Sequence, residues 1–430
     1  MPLTMCHCWK GFMGLGKNTK AAGQPFDPTH VWNRKFIVLI VIDLIVIVGT
    51  FMVRPIVAAY AVELGATLAI AGVVSAMSWF MATILRPATG YFADRLNKKT
   101  SFLIATIASA LSAFGCALSD SIVVVGVFTA VGGVAMSFQA IALTSLVALC
   151  VPRSRVGTGV GWMGIVMNVS MAIGPVAAAN IAALGGYRLS FAVGGVLCTV
   201  GMIMLVFFKA PLGAEGVKGK TEYAQEQASA GSRSRVADIL SQAFHGPTVI
   251  IAVAAFLVVW SGNALSTLLF TVEGMGYLTH ATIYYVLYAV LGMASRPLAG
   301  WLSDRVRSPI VAVPLILIGA CGMIALIFGH DLTAVVICGA CMGLGQASAI
   351  SVVMAESVRG VDPEHLGRAT NTYFMGVDIS GALATWVGGI LIQVGSPALM
   401  FGFNAFTCVA AALLISGICV SRKNVKLRRP

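Results

Sequence analysis

Few charged residues stand inside the apolar stretches of this sequence, and two carboxylates and one guanidinium are among them. Asp43 and Arg54 interrupt the run 36–60, and Asp378 interrupts the run 368–394. A charge at such depth in a hydrocarbon layer costs several kcal/mol, so each is a candidate for a task. A carboxyl group can take up a proton and give it back, so Asp43 and Asp378 are the candidates for proton coupling. A guanidinium presents a flat fork of donors that fits an anionic group, so Arg54 is the candidate for recognising one. Asp43 and Arg54 are eleven residues apart, close to one face of a helix and about 16 Å apart along it, so both are expected to line one cavity. Gln139, Asn168 and Asn263 are further polar candidates for that cavity. All six histidines fall in tails, linker or connections, so carboxylates must carry any coupled proton.

The elements that position these groups are membrane helices. The 430 residues are 58% hydrophobic and 10% charged, against about 25% charged in soluble domains. So little polar surface cannot cover a water-facing globule. The net charge of +12 sits between apolar runs rather than on one face or arm, which argues against nucleic acid. Most of the ten cysteines lie in apolar runs, where Cys acts as a small hydrophobe. Cys6, His7 and Cys8 lack a second ligand pair, so no metal site is expected.

A spanning helix needs about 20 mainly apolar residues. Twelve runs qualify: 36–60, 68–91, 100–118, 122–147, 157–184, 190–208, 248–270, 281–301, 309–328, 332–357, 368–394 and 397–420. The polar stretch 209–246 divides six from six and reads as a linker. The expected organisation is a tail (1–35), a six-helix bundle (36–208), the linker (209–246), a second bundle (247–420) and a basic tail (421–430). Tail 1–35 lacks a signal-peptide core, so the first span is expected to direct insertion and stay in the protein. Most Lys and Arg fall in both tails, the linker and the connections after spans two, four, eight and ten, while the opposite connections hold only Arg188. The positive-inside rule then places both termini in the cytoplasm of a multi-pass cell-membrane protein.

Segment 86–95 returns 210 positions later at 296–305. Arg86, Pro87, Gly90, Asp94 and Arg95 recur as Arg296, Pro297, Gly300, Asp304 and Arg305. At the same offset Glu63 falls on Glu273, Asn168 on Asp378 and Phe191 on Phe401. A duplicated membrane half implies an all-α protein of twelve helices in two parallel six-helix repeats, the plan of many secondary transporters.

On these residues the chain resembles the major facilitator superfamily. Its loop motif between spans two and three, G-x-x-x-D-R-x-x-[RK]-[RK], is matched by Gly90, Asp94, Arg95, Lys98 and Lys99, with Leu96 and Asn97 before the lysines. The resemblance implies a cytoplasmic gate built from Gly90, Asp94, Arg95, Gly300, Asp304, Arg305, Arg86 and Arg296. The Arg-Pro pair before each Gly looks like a branch rich in proton-driven exporters. Span five resembles an antiporter signature at Gly161, Ser170, Gly174 and Pro175, with Ala178 and Ala179 where the signature has Gly. The Arg that many drug exporters carry in span four is absent, and Phe128 stands in its place.

The expected function is secondary transport by alternating access, as proton-coupled efflux of a small organic or amphipathic compound. The alternatives are proton-coupled uptake of an organic anion and, from another class, a receptor that binds without transporting. An enzyme is not expected: the sequence has no P-loop and no mid-span His beside Ser or Cys. The implied partners are the small-molecule substrate, protons and the lipid bilayer, without nucleic acid. The chain is expected to act as a monomer, with the proton gradient as energy source and no cofactor.

Overall fold

The computed structural model describes residues 31–95, 97–152, 156–209, 246–358, 361 and 366–427. Among these every regular element is helical. In lipid each backbone N–H and C=O needs an internal partner, and a helix provides one within its own segment.

The first span is α1 (Arg34–Val53), a 3₁₀ turn (Arg54–Ile56) and α2 (Val57–Glu63). Asn33 starts it by accepting a hydrogen bond from the Phe36 backbone at 3.0 Å. Pro55, which has no N–H to give, accounts for the 3₁₀ turn. There follow α3 (Leu68–Arg95), α4 (Lys98–Leu118), α5 (Ile122–Cys150) and α6 (Val156–Phe207). Helix α6 is broken at Gly185 and Gly186, and Gly186 has φ of 78°, a conformation that favours glycine. Its two halves are therefore separate crossings by length, where spans five and six are expected.

The C-terminal half has α7 (Val249–Gly274), α8 (Ala281–Arg305), α9 (Ser308–Phe328), α10 (Leu332–Cys341), α11 (Ala347–Val358), α12 (Leu366–Val394) and α13 (Pro397–Leu427). Asp331 caps α10, and the bond from the Ala334 backbone holds its carboxyl below the usual range. A π-helical turn, Met342–Gln346, joins α10 to α11 into one span. Among the described residues, ten helices are long and apolar enough to cross a membrane. One of them, Gly161–Phe207, is the broken pair. Helix α8 is not among the ten; it is 25 residues long and carries Arg296, Asp304 and Arg305. The protein is thus an all-α, multi-pass membrane protein.

The halves meet along two seams, α3 against α12 and α6 against α8. In the first, two glycines bring backbones into contact. A Cβ on Gly389 would lie 2.5 Å from the Leu68 carbonyl oxygen, and one on Gly72 would lie 2.9 Å from that of Thr385. Such close approach is how membrane helices gain packing energy. Gly389→Ala should therefore cost about 1–3 kcal/mol by overpacking, seen as a lower melting temperature in detergent. Gly161→Ala, where a Cβ meets nothing within 4 Å, should melt like the parent. Equal melting of all three proteins would show that the seam is not tightly packed.

At the end away from the termini, one apolar core joins both halves. Met52, Ile56, Tyr60 and Phe191 pack with Leu268, Tyr284, Met342 and Phe401 in a single cluster. Toward the end that carries the termini, the packing divides. Phe36, Leu39, Ile42, Leu146 and Leu205 form a core within the N-terminal half. Ile251, Val311, Ile316, Val352 and Cys408 form another within the C-terminal half.

Candidate functional site

The cross-half seams carry the charged groups. Arg86 on α3 donates to Asp378 on α12 through both arms of its fork, Nε to Oδ2 at 2.5 Å and Nη2 to Oδ1 at 3.2 Å. Both residues are buried, and the Arg86 guanidinium also lies 5.0 Å from the Phe374 ring centre. In the other seam, Arg296 on α8 donates from Nη1 to Oδ1 of Asn168 on α6 at 2.7 Å. Its Nε donates to the Ala347 carbonyl at 3.1 Å, just beyond the π turn. That contact fixes Arg296 to its own half while Nη1 crosses to the other.

The two contacts are copies of one another. Arg86 and Arg296 are repeat twins, and so are Asn168 and Asp378. Each Arg of one repeat reaches the polar twin in the opposite repeat. Only one of the two partners can ionise. Both Arg groups carry their charge, but Asp378 takes two bonds and adds a full counter-charge where Asn168 takes one and adds none, so the two seams are alike in position and unlike in charge.

A cavity of about 30 Å³ lies beside these seams, room for water-sized groups only. Nearly all of its wall comes from the N-terminal half. The first span contributes Thr50, Val53, Arg54 and Val57, α3 contributes Ser75, Ser78 and Trp79, and α4 and α5 contribute Ser109, Ser112, Thr129 and Met136. Thr267 of α7 is the contribution of the other half. The turn at Pro55 sets Arg54 into this wall, with its guanidinium 4.2 Å from the Trp79 ring centre. Nη2 of Arg54 is buried without a hydrogen-bond partner, as are the hydroxyls of Ser75 and Ser109. Asp378 is close enough for its charge to act on Arg54.

Of the other expected site residues, Asp43 is fully buried but does not line the cavity with Arg54. It sits beside Ile42 and Val46 of the N-terminal core, and neither of its carboxylate oxygens has a partner. Gln139 and Asn263 also lie outside the cavity wall, each with its side-chain nitrogen unpartnered. In span five, Gly174 packs hard on the first span: a Cβ there would lie 2.6 Å from Phe51 Cβ. Pro175 and Ser170 are buried, whereas Gly161 is exposed. The expected gate residues Gly90, Asp94 and Arg95 fall in α3 and Asp304 in α8, but their side chains lie outside the described residues. Gly300 has open space around its Cα, and Arg305 lies 3.9 Å over the Trp301 ring centre. Cys6, His7 and Cys8 are outside the described residues as well.

The sequence reading missed Trp79 and the ring of serines. Their signal, several hydroxyl residues in spans two to four, is weak because Ser and Thr often bond their own helix carbonyls. Thr129 does so to Val125 at 2.8 Å and Thr50 to Val46 at 3.0 Å. It also missed the π turn, whose only trace is Gly343 and Gly345 in an apolar run.

Known proteins resemble this chain in sequence and fold. The quinolone resistance protein NorA of Staphylococcus aureus (strain MRSA252) is 26% identical over 174 residues, 40% of this chain and 45% of its own length. NorA of strain N315 is 25% identical over the same extent. The chain thus aligns with less than half the length of these relatives. Among solved structures, a mutant of the peptide transporter POT in complex with alafosfalin superposes with a TM-score of 0.71 at 13% identity, covering 90% of this chain and 94% of that one. A mutant of the nucleoside transporter NupG superposes with a TM-score of 0.69 at 13% identity, covering 90% and 99%. At such identities the likeness is one of fold. The family model described as Major Facilitator Superfamily matches residues 39–330 and 293–428, both repeats and both seams. This chain belongs to the Major Facilitator Superfamily.

Proposed function

We propose that the protein is a proton-coupled exporter that moves a small organic or amphipathic compound by alternating access. The observation that carries the reading is the fork between Arg86 and Asp378 across the seam. It is a contact between halves that one proton can weaken. Protonation of Asp378 removes the counter-charge of Arg86 and leaves a hydrogen bond from a charged donor to a neutral acid, while the twin contact of Arg296 with Asn168 does not respond. A proton thereby acts on one seam only, and the halves can rock about the other. The shared core at the end away from the termini, with divided cores at the other end, suits the conformation open toward the termini. With the termini in the cytoplasm, that is the inward-facing state of a cell-membrane carrier acting as a monomer.

Export is supported by the small-residue pattern of span five and by the name of the relative, a resistance protein. One observation favours the opposite direction, uptake of an organic anion: the unpaired Arg54 in the cavity wall. Flux in inverted vesicles under an imposed proton gradient, acid inside, separates the two. Export predicts accumulation of substrate in the vesicle lumen that collapses with a protonophore. Accumulation only when the gradient is reversed would establish uptake. Tight binding with no flux under either gradient would make the protein a receptor.

A further inference from the structure

We propose that the cavity around Arg54 is the recognition site for the anionic group of an organic substrate, a carboxylate, sulfonate or phosphonate. The inference rests on the transporter reading and names the class of compound carried, whichever the direction.

The wall holds a full positive charge with nothing of opposite sign in it. Arg54 makes no hydrogen bond or ion pair with any described residue, and its Nη2 is buried. None of the lining residues is Asp or Glu. The carboxylate whose charge reaches Arg54 is Asp378, and both its oxygens already accept from Arg86. The acids of the first span are not close either: along the helix Asp43 lies about 16 Å and Glu63 about 13 Å away. Among the described residues Arg54 thus has no paired counter-charge, and an anionic group entering the cavity would supply one.

Trp79 does not replace it. A ring face 4.2 Å from the guanidinium orients the fork and partly offsets its charge, but it accepts no hydrogen bond along the N–H directions. The edge of the fork stays free. Around it stand hydroxyls, and those of Ser75 and Ser109 are buried and unused. A hydroxyl can donate to an anion after the fork has engaged it. A guanidinium with hydroxyl donors and an aromatic floor is complementary to a planar or tetrahedral oxyanion. It repels a cation. Met136, Val53 and Val57 complete the wall and suit the carbon skeleton beside such a group. At about 30 Å³ the space as it stands holds only water-sized groups, so the oxyanion and the skeleton attached to it enter as the halves part.

The test uses the purified full-length protein in detergent, with titration calorimetry and thermal melting. The probes are benzoate, benzenesulfonate and phenylphosphonate, set against benzamide, benzylammonium and chloride. At least one of the three organic anions should bind and raise the melting temperature, and the amide, the cation and chloride should not. Arg54→Gln should weaken that binding at least tenfold, and Arg54→Lys should retain part of it. Ser75→Asp places a carboxylate in the wall as an internal counter-charge. It should abolish anion binding while keeping or raising the melting temperature, and it carries the test if Arg54→Gln fails to fold.

The proposal is overturned if none of the three organic anions binds. It is equally overturned if benzamide, benzylammonium or chloride binds as well as they do, or if a folded Ser75→Asp protein keeps the parental anion affinity. Failure of the transporter reading looks different: anion-selective binding lost in Arg54→Gln, with no flux in liposomes. Proton-driven flux of benzylammonium or benzamide, unchanged in Arg54→Gln, would sink the anion site and leave the transporter intact.

Discussion

Asp378→Asn is expected to abolish proton-driven accumulation while leaving substrate exchange in place. The substitution changes almost no volume and keeps one acceptor oxygen for Arg86, but it removes the charge that the fork of 2.5 and 3.2 Å holds. The twin seam already works with an amide, since Asn168 accepts from Arg296, so the variant should insert and fold. Removing one partner of a buried ion pair costs about 3–5 kcal/mol. The Phe374 ring and the remaining hydrogen bond recover part of that, so a lower melting temperature is expected. Concentrative transport in liposomes should fall at least 100-fold, because the seam no longer distinguishes the protonated state. Exchange of labelled for unlabelled substrate without a gradient should continue. Asp43→Asn is the control, because Asp43 touches neither seam nor cavity partner, and it should accumulate substrate like the parent. Accumulation at the parental level in Asp378→Asn, or the two phenotypes exchanged, would remove Asp378 as the coupling residue.

Asn168→Asp should do the reverse and hold the halves together. The new carboxylate would face Arg296 Nη1 where the amide oxygen now accepts at 2.7 Å. A new buried ion pair often gains nothing, because both charges must lose water. Here Arg296 is only half-buried and already held against Asn168 in the parent, so little further desolvation is needed and the substitution supplies the missing counter-charge. A coupling of about 1–3 kcal/mol is expected, a shift of about 5- to 150-fold in the balance of conformations. The melting temperature should rise and transport should slow by a comparable factor at neutral pH. Lowering the pH should restore flux, since protonating the carboxyl group removes the counter-charge and returns a contact to a neutral acceptor like that of the parent amide. A variant with parental flux and melting at neutral pH would mean that this seam does not open during the cycle.

Much of this architecture was legible before any coordinates. Backbone groups have no partner in lipid except each other, so apolar runs of about 20 residues could only be helices. The gap between the apolar runs 157–184 and 190–208 marked the join of spans five and six, where the helix is broken at Gly185 and Gly186. The repeat at 86–95 and 296–305 identified Arg86 with Arg296, and the same offset identified Asn168 with Asp378. Composition and duplication together pointed to the superfamily that the family match then showed.

What sequence could not supply was which twin meets which. An offset of 210 says that two positions are equivalent in their repeats, and nothing in it says that Arg86 reaches across 292 positions to Asp378. That contact depends on how two finished bundles dock, through glycines that let α3 and α12 touch. The helical projection set Asp43 and Arg54 on one face, yet a face 16 Å long borders more than one environment. The Pro55 turn and the packing of the N-terminal core decided that Arg54 enters the cavity wall and Asp43 does not. Sequence by itself determined the helices, the repeat and the few charges placed in lipid, because those follow from local hydrogen bonding and the cost of burial. Tertiary structure decided the pairing of those charges and the ring of hydroxyls around the one left unpaired, because both arise only where separate helices come within a side chain's reach.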